Sequence, residues 1–174
     1  MLTLILLRHA KSSWDIPGQD DFKRALAPRG RMAAPAMGAE IKRLGHSPDY
    51  VLCSPAVRTR DTLALVLPYL DPPPREVYFE DELYLAPAGR LLERLRRLPG
   101  DCRSALLVGH NPSLQNLAVA LAGSGPADKL QSLRAKFPTA ALAILTFEAG
   151  DWRELEPRSG TLVHFATPRA LSRD

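Results

Sequence analysis

Leu2-Thr3-Leu4-Ile5-Leu6-Leu7-Arg8-His9-Ala10-Lys11-Ser12 opens the chain with an aliphatic run that stops on an arginine and a histidine. A short apolar run with almost no polar alternation reads as a strand buried on both faces. It is far too short to cross a bilayer, which takes about 20 apolar residues. It also lacks the basic start and small-residue cleavage site of a secretion signal. Tyr50-Val51-Leu52-Cys53 and Ala105-Leu106-Leu107-Val108 repeat the pattern. Between these strands the period becomes helical. Met37, Ile41 and Leu44 share one face, and Leu91, Leu92, Leu95 and Leu98 share another. Pro35 either starts or kinks the first of these helices. Strands alternating with helices predict an α/β fold, a three-layer α/β/α sandwich around a mostly parallel sheet. Leu142 to Phe147, Trp152 to Leu155 and Thr161 to Phe165 read as late strands, with Glu148–Asp151 as a turn and Gly123–Pro126 as a loop. They predict an antiparallel edge near the C-terminus.

At 174 residues the sequence predicts a single domain, 1–174, large enough to bury a core without disulfides or a structural metal. Hydrophobic residues make up 45% and charged residues 24%, which excludes a disordered or fibrous chain. The formal charge of +4 comes mostly from scattered arginines. That suits an anionic ligand, since the guanidinium fork matches phosphate or carboxylate. It is not the dense basic patch of a nucleic-acid binder, and no membrane partner is expected. Arg94, Arg96 and Arg97 read as solvated surface. Two scattered cysteines, Cys53 and Cys102, point to a reducing compartment, and the expected location is cytoplasmic.

In open α/β sheets ligands bind beyond the carboxyl ends of the strands. After the first strand come Arg8, His9, Lys11 and Ser12. After the second come Ser54-Pro55-Ala56-Val57-Arg58, and after the third Gly109-His110-Asn111-Pro112. Two histidines and two arginines thus gather at one sheet edge from three strands. Ser54-Pro55 and Asn111-Pro112 each read as a helix cap followed by the first helical residue. Both helices would turn free N–H groups towards the crevice, which favours an anion.

These strings carry a resemblance. Leu6 to Ser12 is similar to the Arg-His-Gly signature of the histidine phosphatase superfamily, with Ala10 where glycine is common. Arg8 to Asp15, Ser54 to Arg60, Val108 to Pro112 and Lys136-Phe137-Pro138-Thr139-Ala140 resemble the small SixA-type phosphohistidine phosphatases, from Leu2 to about Pro168. The resemblance implies that His9 is the nucleophile and becomes a phosphohistidine intermediate. Arg8, Arg58 and His110 would hold the phosphoryl oxygens. Such chemistry needs no metal and no cofactor, because side-chain cations stabilise the equatorial oxygens. The implied partner is a protein carrying phosphohistidine, or else a small phosphorylated metabolite.

Superfamily phosphomonoesterases usually add a carboxylic acid that protonates the leaving alcohol. Glu80, Asp81 and Glu82 are the candidates, and Glu82 matches the family's placement best. A solvated acidic turn is the competing reading of all three. A labile P–N bond lowers the need for an acid. Asp15 stands where many relatives have a phosphate-binding asparagine, and reads as structural or as shaping the pocket mouth, paired with Lys11 or Arg24. The loop from Asp15 to Ala27 forms a wall of the site or meets a protein substrate. Trp14 reads as partly buried, Met32 and Met37 as core, His46 as exposed and His164 as structural.

Rival readings are weaker. Four residues separate Cys53 from Arg58, one too few for a cysteine-dependent phosphatase. No Gly-rich segment ends in Gly-Lys-Ser/Thr, and no His/Asp cluster has metal-ligand spacing. A small-molecule phosphomonoesterase and a non-catalytic phosphate- or phosphoprotein-binding module stay as alternatives.

Overall fold

The computed structural model describes residues 1–173. Its strands are β1 (Leu2–Arg8), β2 (Tyr50–Cys53), β3 (Glu76–Phe79), β4 (Ser104–Gly109), β5 (Ala122–Ser124), β6 (Leu142–Phe147) and β7 (Gly160–Ala166). Its α-helices are α1 (Pro28–Arg43), α2 (Val57–Val66), α3 (Ala88–Arg96), α4 (Ser113–Leu121), α5 (Ala127–Ala135) and α6 (Pro168–Leu171). The seven strands form one sheet in the order β3-β2-β4-β1-β6-β7-β5. From β3 to β1 every pair is parallel, and β5 is parallel to β7. β6 runs against both its neighbours, which gives the antiparallel section near the C-terminus.

The sheet separates two apolar layers. Leu4, Leu6, Leu52 and Leu107 face α3, α4 and α5, where Leu95, Leu117 and Leu133 meet them. Ile5, Leu7, Val51 and Val108 face α1 and α2, where Met37, Ile41 and Leu63 meet them. Alternate residues of one aliphatic run therefore fill opposite layers, and each fully buried Leu contributes about 1.5–3 kcal/mol. Register levels the strand ends: Leu7 pairs with Val108, and Val108 with Cys53. The residues that follow, Arg8, Gly109 and Ser54, consequently emerge at one edge.

Several expectations are corrected. Trp152–Glu154 is a 3₁₀ turn and not a strand. Asp151 caps it by accepting from the Arg153 N–H, and the buried Trp152 indole donates to the Cys102 carbonyl at 2.8 Å. Strand β3 carries no buried periodic signal because it is a half-exposed edge, and β5 is three residues that overlap the expected Gly123–Pro126 loop. Pro35 lies inside α1, which starts at Pro28. Met37 is core, but Met32 is 79% exposed. Arg94 is not free surface, because its guanidinium grips the Glu80 carboxylate at 2.8 Å. His46 is half-buried, and His164 lies 3.0 Å from the buried Glu40 carboxylate. Both thiols are free and buried, and burial pushes each up to about 12. Among the described residues no helix is long and apolar enough to cross a membrane.

Candidate active site

Arg8 closes β1 and His9 follows it. The His9 N–H donates to the Gly109 carbonyl at 3.1 Å, and its own carbonyl accepts from Ala140 at 2.9 Å. The His9 backbone is thereby fixed between β4 and the Lys136–Ala140 segment. His9 Nδ1 lies 2.8 Å from the Ala10 carbonyl, an acceptor only, so the proton sits on Nδ1. Nε2 then carries the lone pair and accepts from Arg58 Nε–H at 3.3 Å. Burial drives the His9 pKa down to about 3, against the Ala10 hydrogen bond and with help from His110, Arg58 and Arg8. The imidazole is therefore neutral at pH 7.

Arg58 stands in the first turn of α2 and is 4% exposed. His110 follows β4. Its ring centroid is 5.3 Å from that of His9, and its Nε2 is 2.7 Å from Ser54 Oγ. Burial, reinforced by Arg58, drives His110 down to about 4. Arg8 Nη1 donates to the Phe137 carbonyl at 3.0 Å, and Asn111 Nδ2 donates to the same oxygen at 2.9 Å. The Lys136–Ala140 string thus orients Arg8. Among the described residues, Arg8 Nε and His110 Nδ1 are buried with no hydrogen-bond partner. Leaving such groups unpaired costs about 1–3 kcal/mol each, which an anion accepting from them would relieve.

A cleft of about 220 Å³ opens above these groups. Arg8, His9, Arg58 and His110 line it, with Trp14 and Lys11 at its rim. Trp14 is 72% exposed, against expectation, because the Arg24 guanidinium stacks 3.2 Å over its ring and not a core element. Asp15 is exposed and pairs with neither expected cation. Arg24 turns instead to Asp21 at 3.0 Å, to Ser12 Oγ and to the Ser13 carbonyl. The two helix starts are also shifted. α2 begins at Val57 and α4 at Ser113, because the Ser54 hydroxyl is engaged by His110 and Asn111 serves Phe137.

The acidic candidates lie outside the cleft. Glu80 is held by Arg94 at 2.8 Å, Glu82 by Arg97 at 2.9 Å, and Asp81 is exposed. Glu82 lines a separate groove with Leu83, Arg90 and Arg97. The carboxylate that does approach the site is Asp21. It accepts from Arg58 Nη2 at 3.0 Å, Arg24 Nη1 at 3.0 Å and the Tyr84 hydroxyl at 2.5 Å. Sequence reading missed Asp21, Tyr84 and the hydroxyl role of Ser54. Their contacts span 37 to 63 residues of chain, and the local hint is the Asp21–Arg24 spacing on the loop expected to wall the site. Among the described residues no group of three or more His, Cys, Asp or Glu side chains gathers as a metal ion would require.

A neutral imidazole with its lone pair turned to a guanidinium can take a tetrahedral anion and attack its central atom. The comparisons agree with that geometry. The model of the histidine phosphatase superfamily (branch 1) matches residues 4–84. An uncharacterized protein of Mycobacterium tuberculosis is 37% identical over 165 residues, 94% of this chain and 100% of its own. The candidate phosphohistidine phosphatase SixA of Agrobacterium tumefaciens is 29% identical, with a TM-score of 0.80 over 96% of this chain and 98% of that one. Its counterpart in Nakamurella multipartitia is 28% identical, with a TM-score of 0.82 over 96% of each chain. Likeness that runs almost end to end, on a strand edge carrying these histidines and arginines, places the chain in the histidine phosphatase superfamily as a member of the SixA type.

Proposed function

We propose that this enzyme removes the phosphoryl group from phosphohistidine on a protein. One observation carries the reading: a neutral, buried His9 faces two guanidiniums in a cleft that none of the candidate acids lines. His9 Nε2 attacks phosphorus in line as the P–N bond to the substrate imidazole breaks. Arg8, Arg58 and the His110 Nδ1–H hold the equatorial oxygens. A leaving imidazole can carry its proton on the far nitrogen, which solvent supplies, so no buried acid is needed. An alcohol leaving from a phosphate ester has no such second site. Water then attacks the His9 phosphoryl group, its proton passes to the released phosphate, and neutral His9 returns. Asp21 does not serve as the acid, since its Tyr84, Arg24 and Arg58 partners hold its carboxyl far below the usual range.

One sheet carrying strands from Leu2 to Ala166 supports reading residues 1–174 as one domain. Free buried thiols support a reducing, cytoplasmic setting, and a protein substrate carrying phosphohistidine would give the enzyme a signalling role. The test is phosphate release from a phosphohistidine-bearing protein domain beside an aryl phosphate ester. Faster release from phosphohistidine is expected. Faster release from the ester overturns the reading in favour of a small-molecule phosphomonoesterase, and release from neither favours a binding module.

A further inference from the structure

Arg58 is a buried cation next to another, and burial, with Arg58 adding to it, pushes the Arg8 pKa down. A buried guanidinium must be paired, or it swings towards whatever acceptor it can reach. Asp21 supplies the pairing twice. Its main-chain carbonyl accepts from Arg58 Nη1 at 2.7 Å and its Oδ2 from Nη2 at 3.0 Å. With both terminal nitrogens fixed, the remaining Nε–H is turned onto His9 Nε2 at 3.3 Å. The carboxylate is itself braced. Oδ1 takes Arg24 Nη1, Oδ2 takes the Tyr84 hydroxyl, and the turn Asp21–Lys23 is capped by Asp20 Oδ1 accepting from the Phe22 N–H at 3.2 Å. Arg24 in turn stacks on Trp14 at the rim.

We propose that Asp21 is a positioning residue for phosphoryl transfer, aiming the Arg58 guanidinium at the nucleophilic nitrogen of His9. This rests on the reading of Arg58 as a phosphoryl-binding group. Asp21 is not bonded to His9 and reaches the nucleophile through the Arg58 guanidinium. Its side chain is 40% exposed, so it is not a core element. A preorganised donor loses its advantage once it must be reoriented during the reaction.

The experiment is a double-mutant cycle on the full chain. Asp21→Ala, Arg58→Ala and the double variant are compared with wild type, in phosphate release from a phosphohistidine domain and in calorimetric binding of inorganic phosphate. Asp21→Ala is expected to lower kcat roughly 10- to 100-fold, move KM less than threefold and weaken phosphate binding. In the Arg58→Ala background it should change neither readout by more than about twofold. An equal loss in both backgrounds would show a merely structural role and overturn the proposal. Tighter phosphate binding by Asp21→Ala would do so too, since Asp21 would then be a competitor for Arg58. Asp21→Asn, which keeps the shape and the main-chain contact, carries the same comparison if the alanine variant does not fold. Failure of the phosphohistidine reading shows separately, as wild type without turnover, while phosphate binding still tests Asp21.

Discussion

Ser54 Oγ lies 2.7 Å from His110 Nε2, and both groups are buried. The Ala56 N–H already donates to this hydroxyl oxygen, so its proton is free for Nε2. A hydroxyl donating there puts the His110 proton on Nδ1, the nitrogen left without a protein partner. His110 then meets a phosphoryl oxygen as a neutral donor. Ser54→Ala removes that instruction and is expected to lower kcat/KM roughly tenfold. Nitrogen chemical shifts of the His110 ring should show a mixture of tautomers. An unchanged Nδ1–H tautomer with unchanged kinetics would leave Ser54 as a plain structural contact.

His9→Ala should abolish turnover while the chain stays folded, because the ring sits at the cleft floor and not inside either apolar layer. Phosphate release and a thermal melt check this. An acid-labile phosphoenzyme should form in wild type and vanish in the variant; turnover retained in His9→Ala would remove it as nucleophile.

Glu82→Gln should leave phosphate release within about twofold of wild type. Its pair with Arg97 is exposed on both sides, and such pairs are worth about 0–1 kcal/mol. A hundredfold loss on an ester substrate would mean that Glu82 leaves Arg97 and reaches the leaving group.

Acid should destabilise the fold through its two site histidines. His9 is lowered from 6.5 to about 3 and His110 from 6.5 to about 4, both chiefly by burial. Below pH 6.5 the unfolded chain takes up protons that the folded chain refuses. The stability from these groups is complete above 6.5 and is lost progressively down to about 4 for His110 and about 3 for His9. Thermal melts from pH 7 to pH 4.5 should show a falling Tm, with a smaller fall in His110→Gln. Ring resonances titrating near 6.5 in the folded enzyme would contradict it.

Gly30→Ala tests how α1 supports the site. A Cβ there would overlap the Lys11 carbonyl oxygen, two residues past His9, and the clash is with backbone. A loss of about 1–3 kcal/mol is expected by chemical denaturation, with weaker phosphate binding as the His9 strand end shifts. Wild-type stability would show that α1 can slide away from Lys11.

The layers of the fold were legible because burial on both faces leaves uninterrupted aliphatic runs, and Leu2–Leu7, Tyr50–Cys53 and Ala105–Val108 are too short for helices. Parallel strands of matched register must discharge their next residues at one edge. That is why Arg8, His9, Arg58 and His110 could be grouped from sequence, and the structure brings them together. Strand β3 and the Trp152 turn were not legible, since an exposed edge and a side-chain cap leave no periodic signature. Tertiary structure alone decided how the cations are held. Asp21 reaches Arg58 and Tyr84 across long stretches of chain, Phe137 lends a carbonyl to Arg8, and Glu80 and Glu82 are drawn off by Arg94 and Arg97. Pairing between charges depends on distance in space and on desolvation. Neither is written in the local order of residues.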